Sequence, residues 1–319
     1  MDIEAILSEL EKGANLRHFP NELSEGIVDF TSNDYLGIAA DETLRDDFFA
    51  KHSPTELCMT SSASRLLAAN QRHYLSLETC IEESYGQGRK ALLFNSGYHA
   101  NTGIIPALAD RSGTILADRL VHASIIDGMK LSGAQFTRFP HNDFDYLEKL
   151  LEQQASKGRL ADTIVAIESV YSMDGDKADL RRLVDLKRSY PEIILYVDEA
   201  HAVGVCGPGG LGESVAQGVA AEIDILVGTF GKALASDGAY VLTGSRMKDY
   251  LINKARSLIF STALPPAQTM WTEHTWRHML ANDTARKKLA ENARMLAEII
   301  PGGAASHIRP YIVGDSRKA

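Results

Sequence analysis

The sequence predicts an α/β fold, with a seven-stranded, mostly parallel sheet between helices, and three observations carry that expectation. From about residue 91 onward, short apolar runs rich in β-branched residues alternate with longer segments whose apolar residues recur at helical spacing. Two of the longer segments open on Asp143 and Asp179, as capped amphipathic helices do. Polar residues follow several of the apolar runs directly, and in a parallel sheet that edge is where ligands bind.

In chain order, a helix is expected over residues 3–12, then an extended stretch through SNDYLG at 32–37. Strands are expected at 91–94, 114–117, 135–139, 163–167, 193–197, 225–228 and 239–243, with crossover helices including 143–154 and 179–189. A further helix is expected over 284–299, followed by a strand-like run, IRPYIVG, at 308–314. No repeat or low-complexity linker interrupts the pattern.

Composition narrows the function classes. Apolar residues make up 45% and charged residues 24% of the 319, as in ordinary globular proteins. The formal charge of −9 comes from 33 basic against 42 acidic residues, so a nucleic-acid face is not expected. The basic cluster Arg286-Lys287-Lys288 reads as a solvated helix face. Cys58, Cys80 and Cys206 form no C-x-x-C pair, which argues against a zinc site or a disulfide framework and fits a reducing compartment. The N-terminus is acidic and helical, and no apolar run approaches the ~20 residues of a membrane span. A soluble, cytoplasmic protein is the expectation.

Candidate chemistry lies at the strand ends. Asn95-Ser96-Gly97-Tyr98 opens a helix after the first strand and reads either as a phosphate-binding N-terminus or as a simple cap. In IILYVDEAH, Asp198 ends a buried run, where an ionised carboxylate needs a cationic partner such as a pyridinium nitrogen. His201 either donates to a phenolic oxygen on the same ring or is an ordinary loop histidine. DEAH also resembles the magnesium-binding strand of a P-loop ATPase, but no G-x-x-x-x-G-K-S/T precedes it.

Lys232, in DILVGTFGKALASDGAY, follows a crevice-edge strand, with Thr229 three residues earlier to bind phosphate, and reads better as a Schiff-base lysine than as a surface one. His122 either stacks on a planar cofactor ring or caps its helix. Ser172 precedes a turn-forming Asp174-Gly175 pair and is unremarkable alone.

Taken together, SNDYLG, LFNSGYHAN, DRLVHAS, ESVYSMDGD, DEAHAVGVCGPGGLGE, TFGKAL and FSTALPPA resemble the α-oxoamine synthases, a branch of the fold-type I pyridoxal-phosphate transferases, from about residue 30 to 267. The resemblance implies pyridoxal 5′-phosphate bound to Lys232, with Asp198 on the pyridinium, His201 on the phenolic oxygen and His122 stacked on the ring. It further implies cofactor contacts from Ser172, Thr229, Gly97 and Tyr98, and a phosphate contact from Thr262 made across a homodimer with shared active sites. Arg17 and Asn33 are similar to binders of the amino-acid carboxylate, with a surface role the alternative for Arg17.

The implied reaction condenses an amino acid with an acyl thioester and releases carbon dioxide. The motifs are most similar to the branch using L-alanine and a pimeloyl thioester, on coenzyme A or a carrier protein. The glycine acetyltransferase and 5-aminolevulinate branches are alternatives, and an inactive cofactor-binding relative is one of a different class. Where the family has a glycine-rich G-S-G-G-S-R, this chain reads TSSASR at 60–65, which puts the acyl preference in question. The expected organisation is an N-terminal segment at 1–45, a large cofactor-binding domain at 46–275 and a small C-terminal domain begun at 276–319. That last domain is expected to be incomplete, because the family's substrate-binding arginine and threonine would lie further on.

Overall fold

The computed structural model describes residues 1–19, 26, 27, 29–69, 71–300, 304 and 306–314. Its strands are β1 (Lys90–Phe94), β2 (Thr114–Asp118), β3 (Gln135–Phe139), β4 (Thr163–Glu168), β5 (Ile194–Asp198), β6 (Ile225–Thr229) and β7 (Ala239–Thr243), each within a residue or so of its predicted place. They form one sheet in the order β1-β7-β6-β5-β4-β2-β3, in which β7 alone runs antiparallel to its neighbours.

The helices before and within the first half are α1 (Ile3–Lys12), α2 (Glu42–Lys51), α3 (Arg72–Tyr85), α4 (Gly97–Leu108), α5 (Ala123–Ser132) and α6 (Phe144–Ser156). After them come α7 (Leu180–Ser189), α8 (Glu213–Ala216), α9 (Ser245–Lys254), α10 (Arg256–Ile259), α11 (Pro266–Ala281) and α12 (Asp283–Ile299). The aspartates that predicted helix starts do cap them: Asp143 accepts from the Tyr146 backbone N–H and Asp179 from that of Arg182. Among the described residues no helix is long and apolar enough to cross a membrane.

Strand periodicity divides the core into two layers. Leu93, Leu116, Val165, Leu195 and Leu242 point to one face, where α3, α6, α7 and α11 cover them and Trp276 is fully buried. Leu92, Ile115, Ile164, Tyr196 and Val241 point to the other, under α4, α5 and α9. A sheet buried on both faces leaves only the strand ends free for chemistry. Helix α11 runs across residue 275, packs on α3 and buries Trp276 and Met279 in the first layer.

One expectation is corrected. IRPYIVG forms no strand; residues 308–313 are irregular. The reason is Arg309, whose guanidinium folds back to the end of α12 and donates to the carbonyls of Ile300 at 2.5 Å and Ala304 at 2.9 Å. Among the described residues no strand pairs with this segment.

Two loops at the carboxyl edge are built around buried acids. After β5, the glycine-rich segment closes on Glu199, which accepts from the Ser214 backbone N–H at 2.9 Å and the Ser214 hydroxyl at 2.7 Å. Burial pushes this carboxyl up to about 7. Gly212 has a φ of +106°, and a Cβ there would sit 2.4 Å from the Glu199 carboxylate. Below the β4 turn, His141 bridges Asp118 at 2.9 Å and Asp176 at 2.6 Å, edge-on to Tyr171. Burial acts to lower the His141 pKa, but the hydrogen bonds to Asp118 and Asp176 outweigh it and raise it above the ordinary histidine value.

Gly212→Ala should therefore lower the free energy of unfolding by about 2–4 kcal/mol, from combined backbone strain and overpacking. Urea titration with an unchanged midpoint would contradict this. For His141, a raised folded-state pKa means its contribution is complete below the unfolded value of about 6.5 and fades as pH rises through the folded one. The stability gap between wild type and His141→Gln should be wider at about pH 6 than at about pH 9; a gap that is flat or grows with pH would reject the charged clamp.

Candidate active site

The alternation that builds the core also aims the site. Counting by twos from Ile164, Ile194 and Ile225 puts Glu168, Asp198 and Thr229 on the face covered by α4 and α5, each at the carboxyl end of its strand. They line a cavity of about 160 Å³ together with Gly97, Tyr98, Asn101, His122, His201 and Lys232. Seven residues expected at a cofactor are thus brought together: Gly97, Tyr98, His122, Asp198, His201, Thr229 and Lys232.

Asp198 is 5% exposed, and each oxygen of its carboxylate accepts one hydrogen bond. Oδ2 accepts from Asn101 Nδ2 at 2.8 Å, and Oδ1 accepts from the Ala200 backbone N–H at 2.9 Å. Asn101 is fixed in turn, because Tyr196 donates to its Oδ1 at 2.5 Å and its amide also reaches the Ser124 hydroxyl at 2.8 Å. Ser124 lies 2.7 Å from His122 Nδ1. One network therefore runs from the floor carboxylate to the imidazole. His122 also caps the start of α5, the second of its two expected roles, while its side chain faces the cavity.

Lys232 Nζ lies 2.7 Å from His201 Nε2, and His201 Nδ1 lies 2.8 Å from the Tyr35 hydroxyl. Burial, then the charge of Lys232, lowers the His201 pKa to about 3, which keeps the ring neutral. A neutral ring beside an ammonium accepts at Nε2, so Nδ1 carries the proton and donates to Tyr35. The Tyr35 hydroxyl donates onward to Asn33 Oδ1 at 3.2 Å. Burial lowers the Lys232 pKa against the opposing pull of Asp198 and Glu168. Its amine is more readily neutral than a surface lysine's, as a nucleophile requires.

Glu168 was not anticipated. It pairs in register with Asp198, is 2% exposed and accepts from the His122 backbone N–H. Burial, then the adjacent Asp198 charge, pushes its carboxyl up to about 8, so that the two acids do not both carry charge at neutral pH. The signal was present in IVAIESVYS, a carboxylate at a strand end one strand away from Asp198. Tyr35 lay inside a quoted motif, whereas Asn101, one turn into a helix, carried no distinguishing pattern.

Other expected residues stand apart. Ser172 lies half-buried in the turn after β4 and does not line the cavity. Thr262 is exposed and bridges backbone to Ser64, and Arg17 is exposed on the N-terminal segment. Asn33 is exposed but joined to the cavity through Tyr35.

The donor set fits pyridoxal phosphate group by group. The backbone N–H groups of Gly97 and Tyr98 open α4 with the hydroxyl of Thr229 nearby, an anion site. Asp198 supplies the buried carboxylate for a pyridinium, and Lys232 the amine for an aldehyde.

Comparison with known proteins agrees. A family model described as aminotransferase class I and II matches residues 25–309. A Pasteurella multocida protein provisionally named 8-amino-7-oxononanoate synthase is 46% identical over 325 residues, covering 97% of this chain and 83% of its own. A Neisseria gonorrhoeae protein with the same provisional name is 47% identical over 295 residues, covering 90% and 76%.

Among solved structures, serine palmitoyltransferase from S. paucimobilis, carrying a pyridoxal phosphate–myriocin adduct, superposes with a TM-score of 0.78 at 28% identity over 93% of this chain and 78% of its own. The 8-amino-7-oxononanoate synthase of Francisella tularensis superposes with a TM-score of 0.70 at 28% identity over 86% and 76%. With a cavity that fits the cofactor and relatives this similar over most of its length, the chain belongs to the aminotransferase class I and II family, as a pyridoxal-phosphate-dependent α-oxoamine synthase.

Proposed function

We propose that this protein condenses L-alanine with a pimeloyl thioester, releasing carbon dioxide and giving 8-amino-7-oxononanoate, the biotin-pathway reaction. The observation that carries this reading is the 46% identity across 97% of the chain to a relative provisionally named for that activity. The reading includes a homodimer in the cytoplasm, in which Thr262 reaches the partner's cofactor phosphate. Residues 46–275 form its cofactor-binding domain, and 276–319 begin a small one.

When bound, pyridoxal phosphate supplies an electron sink for the α-carbon of an amino acid. In this reading Lys232 would hold it covalently, and Asp198, oriented by Asn101 and Ala200, would hold the proton on its ring nitrogen. Gly97 and Tyr98 N–H groups and the Thr229 hydroxyl would hold its phosphate, with Ser172 a further contact; with Lys232 no longer an ammonium beside it, His201 would carry its proton on Nε2, donating to the phenolic oxygen while accepting from Tyr35 at Nδ1, and His122 would stack on the ring.

Once released by substrate, Lys232 Nζ is placed to take the α-proton, and burial favours the neutral amine that this needs. His122 then polarises the acyl carbonyl. Asn33 and Arg17 clamp the amino-acid carboxylate, which sets the bond to be broken at the angle that decarboxylation requires.

Two measurements test this. The visible band of the bound cofactor should respond selectively to L-alanine over glycine and L-serine, and should be absent from Lys232→Ala; a selective response to glycine would move the protein to another branch of the family. Asp198→Asn should lower kcat by about two orders of magnitude or more while much of the cofactor is retained, and near-normal turnover in that variant would reject the assigned role.

A further inference from the structure

The segment after α12 reaches back to the hydrogen-bond relay of the active site, and His307 is where it arrives. Its ring meets that of Tyr35 edge-on, with centres 4.5 Å apart and planes at 78°. Tyr35 is the residue whose hydroxyl lies 2.8 Å from His201 Nδ1, and His201 Nε2 is in turn 2.7 Å from Lys232 Nζ. The relay from the amine to Asn33 therefore has a neighbour with no role assigned so far.

Tyr35 needs such a neighbour. It lies on an irregular stretch at 31–37, with no strand or helix to hold its backbone. Asp34 fixes the chain beside it by accepting from the backbone N–H groups of Ile38 and Ala39, both at 2.9 Å, but this leaves the tyrosine ring to be held by packing. Among the described residues two rings stand near it, His201 at 6.2 Å and His307 at 4.5 Å, so His307 is the closer wall. A hydroxyl keeps its hydrogen bond only while the ring that carries it stays in place, and edge-to-face pairs supply that hold.

His307 is itself anchored on both sides. Ser306 is buried and its hydroxyl accepts from the Ile308 backbone N–H at 3.1 Å. Ile308 packs against Val170, Ala202 and Cys206, and Ala202 directly follows His201. Arg309 ties the next residue to the end of α12. Burial, then the Lys177 charge, lowers the His307 pKa to about 4, against an opposing hydrogen bond to the His201 backbone, so the ring is neutral. Its Nε2 is buried and has no hydrogen-bond partner among the described residues. A neutral ring with an idle nitrogen, set against Tyr35 and the His201 backbone, acts through shape and place; it has no charge to contribute.

We propose that His307 is a positioning residue of the active site, whose ring holds Tyr35 where the hydroxyl keeps its hydrogen bond to His201, so that the segment after α12 helps set the bond His201 offers to the cofactor's phenolic oxygen. The link to the phenolic oxygen rests on the proposed role of His201; the hold on Tyr35 does not.

Two measurements test this, neither of which uses an acyl donor. In the full chain before cofactor loading, the proton on His201 Nδ1 is followed by nitrogen-15 NMR of histidine-labelled protein, assigned with His201→Gln. Its exchange with water should be about two- to tenfold faster in His307→Ala, the factor expected for loss of one aromatic pair. In the holoenzyme, the pH midpoint of the cofactor's visible band should rise by about 0.3 to 1 unit in the same variant, because an acid whose charged oxygen loses part of a donor is a weaker acid.

His307→Phe keeps a planar ring against Tyr35, and the cavity of about 440 Å³ that His307 also lines leaves room for it, so this variant should match wild type in both readings. Added to Tyr35→Phe, which removes the hydroxyl, His307→Ala should have no further effect, as a residue acting through Tyr35 requires. Circular dichroism checks that each variant folds. Wild-type behaviour of His307→Ala, a phenylalanine no better than alanine, or an undiminished effect in the Tyr35→Phe background would each overturn the proposal. A visible band unmoved even by Tyr35→Phe, with exchange still faster in His307→Ala, would instead reject the role of His201 at the phenolic oxygen and leave the hold on Tyr35 standing.

Discussion

Asp198 is the constraint around which the rest of the structure is arranged. A carboxylate 5% exposed at the end of a central strand would, if unpaired, cost more than most single packing interactions return. The fold meets that cost with two hydrogen bonds, one to each oxygen, from the Ala200 backbone and the Asn101 amide, each worth about 1.5–3 kcal/mol when the acceptor is charged. Asn101 can do this because α4 crosses the same face of the sheet, so the cavity-facing end of that helix and the support for Asp198 belong to one helix. Moving the helix would unbalance both.

Charge in the cavity is distributed so that few groups are ionised together. Burial lowers the Lys232 pKa, Glu168 beside Asp198 is pushed towards its neutral form, and His201 between lysine and Tyr35 is kept neutral. A buried site with four titratable groups could hold them all charged only at large desolvation cost. Neutralising Glu168 and His201 leaves Lys232 and Asp198 as the pair that the proposed chemistry needs, and the His201 tautomer follows from its two partners, Lys232 and Tyr35. The relay from Lys232 through His201 and Tyr35 to Asn33 then ties an exposed segment near the N-terminus to the amine.

Much of this was legible in the residues. Strand positions followed from β-branched runs, because both faces of the sheet are covered and the apolar signal is continuous. Lys232, Asp198, His201, His122 and Thr229 could be found because each lies just past such a run. What failed were inferences in which burial pattern and partner diverge. IRPYIVG has the composition of a strand but no edge to join, and Arg309 binds the end of α12 instead. Asn101 was invisible because a helix-interior asparagine gains its role only from a strand 97 residues away in sequence. Ser172 and Thr262 rested on resemblance alone, and within one chain neither meets the cavity.

The segment at 60–65 shows how a departure from a family pattern is accommodated locally. Where the family uses glycines, this chain places Ser62 at a φ of +48°, a left-handed conformation that costs a residue with a Cβ of order 1 kcal/mol or more. The strain is held by contacts on both sides. The Thr60 hydroxyl accepts from the Ser62 backbone N–H at 3.0 Å, the Ser61 hydroxyl donates to the Leu264 carbonyl at 3.1 Å, and Ala63 accepts from the Ala263 backbone N–H at 2.9 Å. Arg65 then enters the core to pair with Glu78, which also binds Lys248 at 3.1 Å. Because Arg65 stacks over Tyr74 and Tyr74 reaches the same Leu264 carbonyl, this stretch and the FSTALPPA segment form one unit. A backbone that glycines would leave adaptable is here pinned in one shape by its own hydrogen bonds and by its ties to the segment around Leu264.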